Sequence, residues 1–323
     1  MITHGSCVPV TVLTGFLGAG KTTWLNAWIR GHADRGWGVL ENEAGAVGID
    51  GAVIRRSVER LIEIDDGCLC CVVRDDVAAA VDQLCRSDGV EHIVIELSGL
   101  ADPGPVVDTL NHHPMIAGRV ELAGIVVVVD AINLRDDLVR HPEVRRQLAY
   151  ADLAVVAKSD LCSAELDDVV SAIRGVSPVA RVIGSRDSAD LDMFGPSAGR
   201  RADESESTLQ HSDLSAVTIR LDREVDGELF YRWLGDLVGL RGRDLVRIKA
   251  NVAVRGFSRP LRVQGVHDRV RTDWGEEALT DTSSTLIFIG RSLNADRIEA
   301  GLLACTAGGP GGTDSILEAM GAA

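Results

Sequence analysis

The sequence predicts an α/β protein: a doubly wound, mostly parallel sheet followed by a smaller α+β domain. Three observations predict it. The chain has 323 residues, more than one domain usually holds, so two parts are expected. Up to about residue 185, short Val/Ile-rich runs alternate with stretches of helical spacing. Near-continuous apolar strands of that kind belong to parallel sheets covered by helices on both faces. After about residue 212, strand-like segments follow one another with fewer helices between and alternate in places, as in an antiparallel sheet.

The elements follow in order. "PVTVLTG" (9–15) is strand-like, and "KTTWLNAWIRGHAD" (21–34) is helix-like, with Trp24, Leu25, Trp28 and Ile29 on one face. "GWGVLEN" (36–42) and "RLIEI" (60–64) are further strands, and "RDDVAAAVDQLCR" (74–86) has helical spacing. "HIVIELSG" (92–99), "GIVVVVD" (124–130) and "LAVVAKSD" (153–160) are strands buried on both faces. Ligands are expected at the carboxyl ends of such strands. From 186 to 212 the chain turns polar, rich in Ser and Asp, and contains Gly195-Pro196, the character of a linker. "AVTIRL", "DLVRIKANVAV", "PLRVQGVH", "VRTDW" and "STLIFIG" are then strands, with helices over 226–239 and 295–305. The expected division is therefore 1–186, a linker 187–212, a second domain 213–305 and a frayed tail 306–323.

Composition removes several functions. Lys+Arg 33 against Asp+Glu 48 leaves a net charge of −15. Nucleic-acid and anionic-lipid binding rest on cationic neutralisation, so neither partner is expected. The longest apolar run, "LAGIVVVVDA" (122–131), is too short to span a bilayer. "MITHGSCVPVTVLTG" has no basic segment ahead of an apolar one, so a cytoplasmic protein is expected. Seven cysteines, an odd number, in a reducing compartment argue against a disulfide framework.

"GFLGAGKTT" (15–23) follows a strand and opens a helix, satisfying G-x-x-x-x-G-K-[ST] with Gly15, Gly20, Lys21 and Thr22. The glycines, with Gly18 and Ala19 between, let backbone N–H groups turn toward phosphate oxygens, and Thr23 continues the helix start. Lys21 reaches the β/γ-phosphates and the Thr22 hydroxyl is placed for Mg²⁺. The first domain is thus expected to be a P-loop NTPase. Glu96, ending the strand of "HIVIELSGLADP", would act through the metal or its waters, and the Gly99 N–H would meet the γ-phosphate. "AKSD" (157–160) resembles the guanine-reading N-K-x-D, with Lys158 and Asp160 in place and Ala157 where Asn is usual. A capped strand end would read the same way. Position after the phosphate loop favours GTP, with base selectivity relaxed by Ala157.

"EIDDGCLCCVVRDD" (63–76) holds Cys68, Cys70 and Cys71. On residues alone a reactive thiol, a soft-metal site and a run of small buried residues all remain open, the staple being disfavoured. "GFLGAGKTT", "NEAGAVGID" (42–50), "GCLCC" (67–71), "ELSGLADP" (96–103), "QLAYADLAVVAKSDL" (147–161), "PLRVQGVH" (260–267) and "LIFIGRSLNADRIEAGL" (286–302) occur in family order. Together they resemble the CobW family of GTPases, allied to nitrile hydratase activators and implicated as metallochaperones. The resemblance covers nearly the whole chain. It implies slow GTP hydrolysis coupled to handling Zn²⁺ or Co²⁺ and delivery to a client metalloprotein. It assigns the C-x-C-C metal motif to Cys68, Cys70 and Cys71, whose fourth position could go to Glu43, a water or a client's ligand. Two departures stand out: "NEAGA" has Ala46 where relatives often hold an acid, and Ala157 replaces Asn. A GTP-switched assembly factor with redox or structural cysteines is the alternative. A homodimer stays open.

Other residues carry structural expectations. Trp24 and Trp28 are core; Cys7, Cys85, Cys162 and Cys305 are buried structural cysteines. His112-His113 fits a loop or helix end better than a metal pair. Asp50 and Asp102 lie on loops near the expected nucleotide, and His267 matches a family position without a derivable role.

Overall fold

The computed structural model describes residues 7–41, 58–63, 73–160, 166–185, 214–242 and 244–306. The chain divides into two units, Met1–Asp203 and Glu204–Ala323.

The first unit runs β1 (Val8–Thr14), α1 (Lys21–Gly31), β2 (Trp37–Glu41), β3 (Val58–Glu63), α2 (Val73–Cys85), β4 (His92–Glu96), α3 (Gly104–His112), β5 (Val120–Asp130), α4 (Leu134–Arg140), α5 (Pro142–Tyr150), β6 (Leu153–Ala157), α6 (Leu166–Val176) and β7 (Arg181–Gly184). The strands form one sheet in the order β3-β2-β4-β1-β5-β6-β7, with every described pairing parallel. This is the doubly wound arrangement that the Val/Ile runs predict: β4 and β6 are buried along their whole length. α1 lays Trp24, Leu25, Trp28 and Ile29 against Leu13, Val39, Val94 and Val126 of the sheet. Trp24 and Trp28 stack with ring centroids 5.8 Å apart, and Trp28 meets Trp37 edge-on at 4.7 Å. Rings in those arrangements add roughly 0.5–1.5 kcal/mol per pair beyond the area they bury.

Some boundaries differ from expectation. α1 stops at Gly31, short of residue 34, because Trp37 Nε1 takes the His32 carbonyl at 2.8 Å and the chain leaves the helix in turns. β5 starts at Val120, where it pairs with Val8 of β1. Cys305 is fully buried, and burial pushes its thiol up to about 12. Cys7 and Cys85 are only half-buried, a correction to the core expectation: Cys7 precedes β1 and donates to the Gly118 carbonyl at 3.3 Å, and Cys85 ends α2. Cys162 and Asp50 lie outside the described residues. Among the described residues, no helix is long and apolar enough to cross a membrane.

The second unit runs β8 (Leu214–Leu221), α7 (Gly227–Arg241), β9 (Leu245–Val252), β10 (Leu261–Val266), β11 (Arg269–Trp274), β12 (Ser284–Arg291) and α8 (Ala295–Ala304). Its sheet has the order β11-β10-β9-β12-β8 and is antiparallel throughout. Register puts Ile219, Leu286, Ala250 and Val263 in one row across it, on the face that joins Phe230, Trp233 and Leu237 of α7 and Leu302 of α8 in the core. The next row, Arg220, Thr285, Asn251 and Arg262, points to the other face, the two-residue period of a half-buried sheet. Asp226 caps α7 by accepting from the Glu228 and Leu229 N–H groups, and Asn294 caps α8 by accepting from Arg297 N–H. His267, at φ +55°, sits in the two-residue turn joining β10 to β11, where left-handed backbone is needed.

Two outcomes follow from this packing. His92 on β4 is 2% exposed, with its Nε2 3.0 Å from Thr11 Oγ1, and burial lowers its pKa to about 3. The unfolded chain therefore binds one more proton than the folded one between about pH 3 and 6.5. Stability should be complete above pH 6.5 and fall as pH drops through that window, at up to about 1.4 kcal/mol per unit from this group. His92→Gln should flatten that slope in urea titrations run from pH 7 to 4. In the second unit a Cβ on Gly301 of α8 would overlap the Trp233 indole, which is fully buried. Gly301→Ala gains about 1 kcal/mol of helix propensity but overpacks a ring with no room to move, at about 1–3 kcal/mol. Its melting temperature should fall, not rise.

Candidate functional site: a phosphate loop braced by two lysines

β1 lies at the sheet's switch point, with β4 on one side and β5 on the other, so the turn after it opens where a doubly wound sheet binds its ligand. Gly15 begins that turn at φ +146°; a Cβ there would overlap the Val128 carbonyl oxygen of β5. Gly18 (φ +73°) and Gly20 (φ +95°) take left-handed conformations that a side chain would strain, and Gly20 caps α1. Ala19 is buried and its N–H donates to the Phe16 carbonyl at 3.1 Å. Lys21, the first residue of α1, is 7% exposed and its Nζ donates to the Gly15 carbonyl at 3.0 Å. Thr22 and Thr23 complete the first turn.

Glu96 ends β4 opposite Leu13 of β1, and the Thr22 hydroxyl donates to its Oε1 at 2.7 Å. A hydroxyl and a carboxylate side by side form a hard-oxygen pair suited to Mg²⁺, which takes few protein ligands and keeps waters and phosphate oxygens. The register also sets Glu41, the last residue of β2, beside Glu96; both carboxylates are buried. Sequence reasoning missed Glu41, although an acid closing a strand is the same signal that singles out Glu96.

The loop after β4 presses on the phosphate loop. A Cβ on Gly99 would lie 2.6 Å from Leu17 Cδ2 and 2.7 Å from Leu17 N. Asp102, just ahead of the Pro103 cap of α3, turns back to accept from the Gly104 N–H at 2.9 Å.

On the opposite side, Lys158 follows β6 at φ +57°. Its Nζ donates to the Gly18 carbonyl at 2.8 Å and to Asp130 Oδ2 at 2.9 Å. Asp130, ending β5, feels burial raising its pKa, but hydrogen bonds from Lys158, Asn133 and the Ile132 N–H outweigh it and hold the carboxyl below its ordinary value. Asp130 was absent from the sequence reading, although it closes "GIVVVVD". Asp160 lies two residues beyond Lys158 and is exposed. Lys21, Thr22, Glu96, Gly99, Gly15, Gly18, Ala19, Gly20 and Lys158 thus gather around one loop. Cys68, Cys70, Cys71, Asn42 and Glu43 lie outside the described residues. His112 ends α3 and bonds Asp108, while His113 Nε2 is 2.9 Å from Asp75 Oδ1. No group of three or more His, Cys, Asp or Glu side chains is placed to hold a metal among the described residues.

A parallel sheet whose central strand opens through G-x-x-x-x-G-K-T into a helix, with a carboxylate at the neighbouring strand end, defines a P-loop NTPase. The chain belongs to the CobW family: residues 9–183 match the CobW/HypB/UreG nucleotide-binding domain, and residues 214–306 match the cobalamin synthesis protein cobW C-terminal domain. It is similar to the zinc chaperone YjiA of Escherichia coli, at 28% identity over 91% of this chain and 97% of that protein. It is also similar to the zinc chaperone CobW of Pseudomonas aeruginosa, at 29% identity over 89% and 88% respectively. The crystal structure of Zn(II)-bound YjiA superposes with a TM-score of 0.70 at 26% identity, covering 94% of this chain and 100% of that one.

Gly99→Ala should push the phosphate loop at Leu17 out of shape while the sheet stays intact. An overpacking cost of about 1–3 kcal/mol, passed on to the loop, corresponds to roughly a five- to hundredfold loss of nucleoside diphosphate affinity. Titration with a fluorescent diphosphate, with circular dichroism to check the fold, measures it.

Proposed function

We propose that this protein is a GTP-hydrolysing metallochaperone that carries a transition metal, zinc before cobalt, to a client metalloprotein. Its parts are a GTPase domain over 1–186, a linker over 187–212, a C-terminal domain over 213–305 and a tail over 306–323. The observation that carries the reading is the extent of similarity to proteins named zinc chaperones, which runs through 91% of this chain and 97% of YjiA. The braced phosphate loop supplies the nucleotide half.

In this reading Gly15 to Thr23 cradle the triphosphate, with amides of Gly18 and Gly20 toward its oxygens, Ala19 packed beneath and bonded to the Phe16 carbonyl, and Lys21 moving from the Gly15 carbonyl to the β/γ-phosphates. Thr22 and Glu96 hold Mg²⁺, whose charge neutralises the phosphate oxygens. The Gly99 N–H donates to the γ-phosphate, so its loop registers whether that phosphate is present. Asp160 accepts from the guanine N1–H and amino group, and the Lys158 stem lies along the base while its ammonium stays on the loop. The cargo binds Cys68, Cys70 and Cys71 as thiolates, the soft ligands zinc and cobalt accept, with Glu43 in the remaining position. Three thiolates with an exchangeable fourth ligand suit a site that must release what it holds.

Zinc titrated into the reduced protein, with and without a non-hydrolysable GTP analogue, tests this. One zinc per chain is expected, with affinity shifted about tenfold by the analogue and binding lost in the Cys68→Ser/Cys70→Ser/Cys71→Ser variant. Equal binding by that variant would sink the metal site. A reduced protein that takes up no metal, yet binds a partner in its GTP state, would instead support a GTP-switched assembly factor.

A further inference from the structure

α5 touches both loops of the nucleotide site. His141, just before it, packs its ring on Phe16 of the phosphate loop, with centroids 4.5 Å apart at 32°. Further along, Gln147 is 1% exposed, and its Nε2 donates to the Gly99 carbonyl at 3.0 Å and to the Ala101 carbonyl at 3.2 Å. Val144 and Leu148 on either side of it are buried, so the amide is mounted on a fixed helix.

Those two bonds ask for an explanation. A loop leaving a strand loses its ladder partners, and buried carbonyls without donors are costly. One neutral amide with two N–H groups satisfies both carbonyls. Its Oε1 is buried and accepts no hydrogen bond within the described residues, so the side chain's polarity serves only this loop. Holding the carbonyls of residues 99 and 101 fixes the backbone on both sides of Leu100. It thereby fixes how the Gly99 peptide is presented to the phosphate loop it abuts.

We infer that Gln147 is a positioning residue for triphosphate recognition: from α5 it holds the Gly99–Ala101 segment in the orientation that offers the Gly99 N–H to a γ-phosphate. This rests on the proposed reading of Gly99. Gln147 touches neither phosphate nor metal; it acts through the loop. A diphosphate does not reach Gly99, so the residue should matter for GTP and hardly for GDP.

The test measures GDP and the non-hydrolysable analogue GMPPNP on the full chain and on Gln147→Met and Gln147→Glu, with Mg²⁺ present. Met keeps the length without donors; Glu keeps the volume and sets a carboxylate against two carbonyls. Both should hold GDP within about twofold of the unaltered chain, yet lose about tenfold or more in GMPPNP affinity, the worth of the two lost hydrogen bonds at roughly 0.5–1.5 kcal/mol each. GTP turnover should fall with it. An unchanged GMPPNP-to-GDP ratio, or parallel losses for both nucleotides, overturns the inference. So does failure of both variants to fold, since Gln147 would then serve the fold alone. If the unaltered chain binds neither nucleotide, the proposed function fails instead, so the two failures are separable.

Discussion

The parallel pairing of β1 with β4 and β5 is the constraint on which the site depends. It sets Leu13 beside Glu96 and Leu13 beside Val126, and so decides what lies around the turn after Thr14. On one side that turn finds a carboxylate within reach of Thr22; on the other, the backbone of Val128 comes so close to Gly15 that no side chain fits. A register slip of one residue would turn Glu96 to the other face of the sheet. The Val/Ile run of β5 and the apolar face of α1 resist such a slip, because both strand faces are already filled.

The second unit solves a different problem by alternation. Its five strands are covered by α7 and α8 on one face; the other face carries Arg220, Thr285, Asn251 and Arg262, but also the buried Ile287 and Ile289 of β12. Side-chain caps at Asp226 and Asn294 fix where its helices begin. Asp226 holds one further position: its N–H donates to the Cys305 carbonyl at 2.7 Å, tying the start of α7 to the end of α8.

Much of this was legible in the sequence, for physical reasons. Val/Ile runs, the glycine spacing of 15–20 and the apolar stripe of α1 are local signals with a fixed period, and each appears where expected. The sequence reading does not assign α3, α4, α5, α6 or β7; all but α6 are four to nine residues long, and the Tyr150 hydroxyl at the end of α5 lies against Gly104 at the start of α3, a contact with no local pattern. The same distinction separates the site residues. Lys21 and Thr22 are legible because their neighbours in sequence are their neighbours in space. Gln147 reaches Gly99 across 48 positions and Lys158 reaches Gly18 across 140, separations that carry no local pattern. Asp130 and Glu41 gave the signal of an acid at a strand end, and only the sheet order shows which other residues they join.

The two lysines on the phosphate loop have a thermodynamic consequence. Lys21 holds the Gly15 carbonyl and Lys158 holds the Gly18 carbonyl, so two of the loop's acceptors are fixed by cations of the protein itself. A cradle already shaped spares an incoming phosphate the entropy of ordering nine residues. Lys158 is anchored in turn by Asp130, so the two cations tie the loop to the start of α1 and to the ends of β5 and β6.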